Sequence, residues 1–290
     1  MKLPALIITA LFFSIALQAR EANTVNAASA QKKEMQHSPV FIENKGQLTD
    51  QYGTPRRDID YKLSGGDVTL FVGDGQLHYQ WSRAPQNSKS EKLNTKSLAG
   101  KKPPSGDVGV SIYRMDVTLL GADKNAMAVA VDASGYTENY YLPTTPDGAT
   151  AHSYKKIVYK NVYPHIDWVL YTPAIPEGGS LATGGIKYDF IVHPGGNVAD
   201  IQLQYNGATK LAIDNGALVA TTPMGTITEA APYSYMTASG KTVASSYVLR
   251  GNVLSFVTAG SMAEAGDMII DPALQWATYY GGTGYEFSYG

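Results

Sequence analysis

Leu211-Ala212-Ile213-Asp214-Asn215-Gly216-Ala217-Leu218-Val219-Ala220 is the stretch whose reading decides the fold. Asn-Gly supplies the two positive φ angles that a tight turn matched to strand twist requires, and apolar residues flank it on both sides. A β-hairpin is predicted here. Working outward, Val68-Thr69-Leu70-Phe71-Val72, Gly73-Asp74-Gly75 and Gln76-Leu77-His78-Tyr79-Gln80-Trp81 read as a second hairpin. Period two puts Leu77, Tyr79 and Trp81 on one face. Ile112 to Leu120 alternates as a half-buried strand, with Arg114, Asp116 and Thr118 outward. Val243 to Leu249, Arg250-Gly251-Asn252 and Val253 to Val257 repeat the hairpin pattern. No segment reads as an amphipathic helix of three turns, and 29 Gly and 15 Pro punctuate the short strands. The expected fold class is all-β, built as two β-sandwich-like lobes at 39–150 and 151–272.

The chain begins with Met1-Lys2, an apolar run from Leu3 to Leu17, and Gln18-Ala19. One positive charge, a short apolar stretch and a small residue predict a signal peptide at 1–19. An uncleaved anchor is the alternative, but the run falls short of the ~20 residues a spanning helix needs. Residues 20–38 are polar and aperiodic and read as a linker. Hydrophobic content of 44% and charged content of 17% describe a globular chain, not a disordered one. A net charge of −2 implies no basic face, so nucleic acid is not an expected partner. Cysteine is absent, which excludes thiol catalysis, thiolate metal sites and disulfides together. Residues 84–107 contain almost nothing to bury and read as a disordered insertion joining Trp81 to Ile112. Its five lysines offer a second reading, a polyanion-binding arm. After Ile270-Asp271-Pro272, Leu274 to Tyr280 reads as a fresh strand with no partner in view, followed by a glycine-rich turn. The expectation is that the natural protein continues beyond it.

Several segments occur in one order: Phe41-Ile42-Glu43-Asn44-Lys45-Gly46-Gln47, Tyr159 to Tyr171, Lys187 to Gly195, Tyr247 to Asn252, and Ile270-Asp271-Pro272. Together they resemble the N-terminal domain that precedes SBBP (seven-bladed β-propeller) repeats in bacterial secreted proteins. The tail from Trp276 to Glu286 looks like the opening of the first such repeat, which gives 273–290 as the truncated start of a propeller repeat. The sequence departs from the family pattern at His165, where the family usually shows Gly, and in the 84–107 insertion. The resemblance implies an extracellular or outer-surface module upstream of a repeat array, often with a type IX kind of secretion signal. It carries over no catalytic residue.

Aromatic residues are densest between Tyr136 and Tyr171. Tyr159, Tyr163 and Tyr171 sit among β-branched residues and suit a sandwich interior. Tyr140-Tyr141, with Glu138 nearby, is the ligand-binding candidate, because adjacent strand residues face opposite sides and one ring must look outward. Asp167, Asp189 and Asp271 lie beside apolar strand residues. A glycoside hydrolase would need two carboxyls about 5–10 Å apart, whereas strand-end Asp commonly binds turn backbone. His37, His78, His152, His165 and His193 lack zinc-ligand spacing. Asp74 and Asp214-Asn215 lack the setting of a calcium loop. No G-x-S-x-G segment occurs, and Gly178-Gly179 and Gly184-Gly185 precede no phosphate-binding helix. No catalytic residue, metal or cofactor is expected.

The resulting expectation is a non-catalytic binding or structural module of a secreted or surface-anchored protein, with a role in adhesion. Its partners would be the downstream repeats of the same chain and a glycan or cell-surface protein, without membrane insertion once the signal is removed. A carbohydrate-binding or carbohydrate-active domain using Asp or Glu is the alternative. Shielding of the first blade of the array is a third reading.

Overall fold

A computed structural model describes residues 39–65, 68–83, 110–172, 186–259, 266–272 and 274–277, all within one compact unit at 37–289. Several sequence expectations fall outside the described residues. They are the signal peptide and linker (1–38, with His37), the 84–107 insertion, the glycine pairs at 178–179 and 184–185, and the tail beyond 277.

The fold is all-β. The strands are β1 (Phe41–Glu43), β2 (Tyr61–Gly65), β3 (Val68–Gly73), β4 (Gln76–Arg83), β5 (Ser111–Leu119), β6 (Ala128–Leu142), β7 (Thr145–Tyr163), β8 (Ile166–Tyr171) and β9 (Lys187–Val192). They continue as β10 (Gln202–Asn206), β11 (Lys210–Asp214), β12 (Ala217–Thr222), β13 (Gly225–Glu229), β14 (Tyr233–Met236) and β15 (Thr242–Val243). The last are β16 (Ser245–Arg250), β17 (Val253–Thr258), β18 (Met268–Asp271) and β19 (Leu274–Ala277). Helix among the described residues is a single 3-10 turn, Val198–Asp200.

The expected hairpins are present. β11 and β12 pair through Asn215 (φ 50°) and Gly216 (φ 84°), the two left-handed residues the turn demands. β3 and β4 pair from Val68↔Trp81 to Gly73↔Gln76, and β4 pairs β5 with Trp81 opposite Tyr113. Antiparallel pairing joins fifteen strands into one sheet in the order β15-β14-β18-β9-β8-β7-β1-β2-β3-β4-β5-β10-β17-β16, with β6 on β7.

Three features differ from the sequence reading. The expected single strand from Val243 to Leu249 breaks at Ala244, so that β15 pairs β14 while β16 pairs β17. The two ends of the large sheet are thus one residue apart in sequence, and the sheet nearly closes. Ser234 donates to Ser245 Oγ (2.8 Å), which donates to Pro232 O (2.9 Å), and these bonds fasten the seam. The expected division at 150/151 falls inside β7, and strands from both sides of it share the large sheet. Likewise β19, for which the sequence offers no evident partner, pairs antiparallel with β13 at the edge of a four-stranded sheet, β11-β12-β13-β19.

Alternation assigns the core. Leu70, Tyr79, Met115, Trp168, Phe190, Leu203 and Phe256 point inward from the large sheet, and the small sheet adds Leu218, Ala220 and Ile227 to the same cluster. Tyr159 (2% exposed) and Tyr163 (3%) are interior residues, as is Trp168 (1%), whereas Tyr171, expected inside with them, alternates to the outer face of β8, where its hydroxyl reaches Asp189. Tyr159 and Trp168 pack with ring centroids 5.5 Å apart. Burying one such ring contributes roughly 1.5–3 kcal/mol.

Candidate functional site

Because Leu77, Tyr79 and Trp81 point inward, His78 and Gln80 of β4 must point outward. The registers then build rows across the outer face. Lys62 of β2 stands opposite Phe71 of β3, Phe71 opposite His78, and His78 opposite Asp116 of β5. In the next row Thr69, Gln80 and Arg114 are neighbours. Directly opposed residues have Cβ atoms about 5 Å apart, so these side chains form one surface.

The segment between β1 and β2, residues 44–60, folds over that surface. Asn44 organises it by donating from Nδ2 to Arg56 O (2.7 Å) and Ile59 O (2.8 Å), while Oδ1 accepts from Gly46 N (3.0 Å). Gln47 accepts from Lys45 N and donates to Glu43 O, each at 2.6 Å. Asp50 closes a turn by accepting from the N–H groups of Tyr52 and Thr54, both at 2.9 Å. Gly46 has φ +101°, a value glycine tolerates best. Close approach to the sheet depends on Gly73, where a Cβ would stand 2.2 Å from Asp58 O. The Glu43-Asn44-Lys45-Gly46-Gln47 motif thereby shapes one wall of a groove.

Between this wall and β2–β5 lies a cavity of about 590 Å³. Its lining includes Gln47, Gln51, Arg56, Lys62, Phe71, His78, Gln80, Ile112 and Arg114. His78 is 3% exposed despite its outward direction, because the 44–60 segment and its neighbours cover it. Its Nδ1 lies 2.7 Å from Asp116 Oδ1 and 2.9 Å from Arg114 Nη2. A carboxylate accepts only, so Nδ1 carries the proton shared with Asp116, and the guanidinium is an electrostatic neighbour of the ring. Burial favours the neutral Asp116 carboxyl, but hydrogen bonds from His78 and Arg114 (Nε, 2.6 Å) outweigh it and hold its pKa below the usual value. Arg56 grips Asp58 through Nε (2.7 Å) and Nη2 (2.5 Å), which lowers the Asp58 pKa. Lys62 has no ion pair among the described residues.

The residues singled out in sequence lie on the β6–β7 ribbon. The hydroxyls of Tyr140 and Tyr136 both donate to Glu138, the latter at 3.1 Å. Burial, then Glu138, pushes the Tyr140 pKa up. Tyr140 also meets the side chain of Gln47, a groove residue, so the Tyr140–Glu138 pair adjoins the groove wall. Tyr141 faces the other side, 81% exposed, where a Cβ on Gly148 would come 2.9 Å from its ring. The adjacent pair is divided between two faces, as strand geometry requires.

The three strand aspartates have separate environments. Asp167 is 1% exposed and accepts from Lys160 Nζ (2.6 Å), Asn161 N (2.8 Å) and His193 Nε2 (3.1 Å). Asp189 and Asp271 become neighbours on the outer face, because the β9–β18 register sets Phe190 opposite Ile270. Burial, then the charge of Asp271, raises Asp189 to about 7, and Tyr171 donates to it at 3.3 Å. Among the described residues no group of three His, Asp or Glu side chains could hold a metal ion.

Sequence alone does not single out the groove. The signal present there is the outward alternation of His78, Arg114 and Asp116. What is missing is the register that sets them beside Lys62 and beneath the 44–60 segment.

No curated protein matches the chain, and no solved structure does either. A family model described as Domain of unknown function (DUF7948) matches residues 41–273, which span the groove from β1 to β5 and the strands to β18. The chain belongs to the DUF7948 family.

Proposed function

We propose that this protein is a non-catalytic binding module whose ligand lies in the groove between residues 44–60 and the outer face of β2–β5. The observation carrying this reading is the groove itself: about 590 Å³, with cations and carboxamides set among Leu48, Ile59, Phe71 and Ile112. Sites for small ligands typically enclose roughly 300–1,000 Å³. A buried ring fixed by Asp116 gives the groove a preorganised floor, which reduces the ordering cost of binding. In this reading the module is exported, works outside a bacterial cell in adhesion, and stands upstream of propeller repeats. The signal-like N-terminus and the SBBP-type motifs support that setting.

The test is a glycan array probed with the full chain, the R114A/K62A double variant and Y141A. Binding is expected for the full chain and Y141A and is lost in the double variant. Retention by the double variant overturns the groove as the site.

A second reading, hydrolysis, draws on one observation: Asp189, raised to about 7, stands beside Asp271 with Tyr171 at hand. Retaining glycosidases place a protonated acid near a second carboxyl at about 5–5.5 Å. A reducing-end assay on array-positive glycans, with D189N as control, separates the two. Release of sugar by the full chain and not by D189N would favour hydrolysis.

A further inference from the structure

We propose that the groove recognises an acidic saccharide bearing one carboxylate per sugar ring, such as a uronic-acid oligomer. The inference rests on the binding reading above and adds the ligand class.

The charge distribution in the groove leads to it. Asp58 takes Nε and Nη2 of Arg56, and Asp116 takes Nε of Arg114, whose Nη2 turns to His78. These carboxylates offset the two guanidiniums. Asp50 is capped by backbone N–H groups, keeps its negative charge and acts on Arg56. Lys62 is the lining cation with no such partner among the described residues. With three carboxylates set against three cations in and around the groove, an ammonium that no carboxylate touches suits one anionic group, not a dense polyanion. The Nη1 groups of Arg56 and Arg114 remain to donate to the same carboxylate or to hydroxyls.

The neutral lining fits sugar hydroxyls. Gln51 and Gln80 each offer a donor and an acceptor, which matches a hydroxyl that both donates and accepts. Phe71 supplies an apolar face for the C–H side of a ring. A wholly apolar ligand would strand these amides without partners, at a cost of about 1–3 kcal/mol each. A nucleic-acid strand would need a run of cations and several stacking rings, and the groove offers one aromatic ring.

The test is calorimetric titration of the full chain with trimers of galacturonate, mannuronate and glucuronate. Their neutral congeners, a heparin-derived hexasaccharide and a glutamate hexapeptide serve as comparisons. At least one uronate trimer is expected to bind ten-fold or more tighter than its neutral congener. K62M, which keeps the stem and loses the charge, should weaken that binding about ten-fold with an unchanged melting temperature and no effect on any neutral sugar. K62R should restore most of it. The salt slope should be close to one ion. Equal binding of the neutral congener, indifference to K62M, or tighter binding of the heparin fragment or peptide overturns the acidic-sugar assignment. If neutral sugars bind and R114A/K62A abolishes it, the groove reading survives while this one fails. If no saccharide binds, both fail.

Discussion

Tyr188 of β9 donates its hydroxyl to Glu229 of β13 across 2.6 Å, and so ties the large sheet to the small one. Tyr205 of β10 donates to the other carboxyl oxygen. Glu229 is 1% exposed with no cation beside it among the described residues, and burial raises its pKa above the ordinary carboxyl value despite the two hydroxyls. An acid whose folded pKa lies above its unfolded one contributes fully below the unfolded value. The contribution is lost as pH rises through the folded value. Melting temperature should therefore fall from mildly acidic pH toward alkaline pH, and E229Q should flatten that fall. E229A leaves two buried hydroxyls unpaired and should cost about 3 kcal/mol at mildly acidic pH, where the Glu229 contribution is fullest. A pH series of thermal melts on the three proteins checks this, and equal slopes for wild type and E229Q would refute it.

Gly73 lets the Asp58–Asp60 backbone lie on β3, where an added Cβ would meet Asp58 O at 2.2 Å. G73A must lift the 44–60 segment or bend the strand, at a cost of roughly 3 kcal/mol. Groove binding should vanish with it. Retention of full affinity by G73A would show that this wall is dispensable.

His165 adopts φ 59°, a left-handed conformation that glycine tolerates best. A side chain in that region costs about 1–2 kcal/mol, offset partly by the greater freedom of glycine in the unfolded chain. H165G should stabilise by about 0.5–1 kcal/mol in chemical denaturation. A loss of more than about 1 kcal/mol would mean that ring contact with Gly195 outweighs the backbone term.

His193 bridges Asp267 (Nδ1, 2.8 Å) and Asp167 (Nε2, 3.1 Å). Burial opposes its charge, but the two carboxylates prevail and raise its pKa, while Asp167 is lowered. The histidine contribution is present below its unfolded pKa and fades as pH rises through the folded one. The aspartate contribution is present above about pH 4 and fades on acidification through its lowered pKa. H193Q should therefore lose stability chiefly on the acidic side of neutral. A uniform loss across roughly pH 5–9 would argue that the ring acts by packing alone.

Local chemistry makes the hairpins legible. Asn215-Gly216 can be read because its turn needs no distant partner, and the Leu77-Tyr79-Trp81 alternation names the inner face of β4 from its own residues. The division of Tyr140 from Tyr141 follows from the same rule. Closure of the sheet cannot be read, because the break at Ala244 reflects two partners, β14 and β17, competing for one continuous run of strand-forming residues. The partner of β19 is hidden for a similar reason, since β13 lies more than forty residues upstream. The groove combines four strands with one crossing segment. Lys62, Phe71, His78 and Asp116 become neighbours only through registers that no single strand encodes.

The most direct measurement is a heteronuclear NMR titration of the isotope-labelled full chain with the best-binding saccharide. Saturable shifts should fall on the amides of Lys62, Phe71, His78 and Arg114 and on the side-chain amides of Gln51 and Gln80. Shifts confined to the Tyr136–Leu142 ribbon or to the Asp189–Asp271 face would contradict the account.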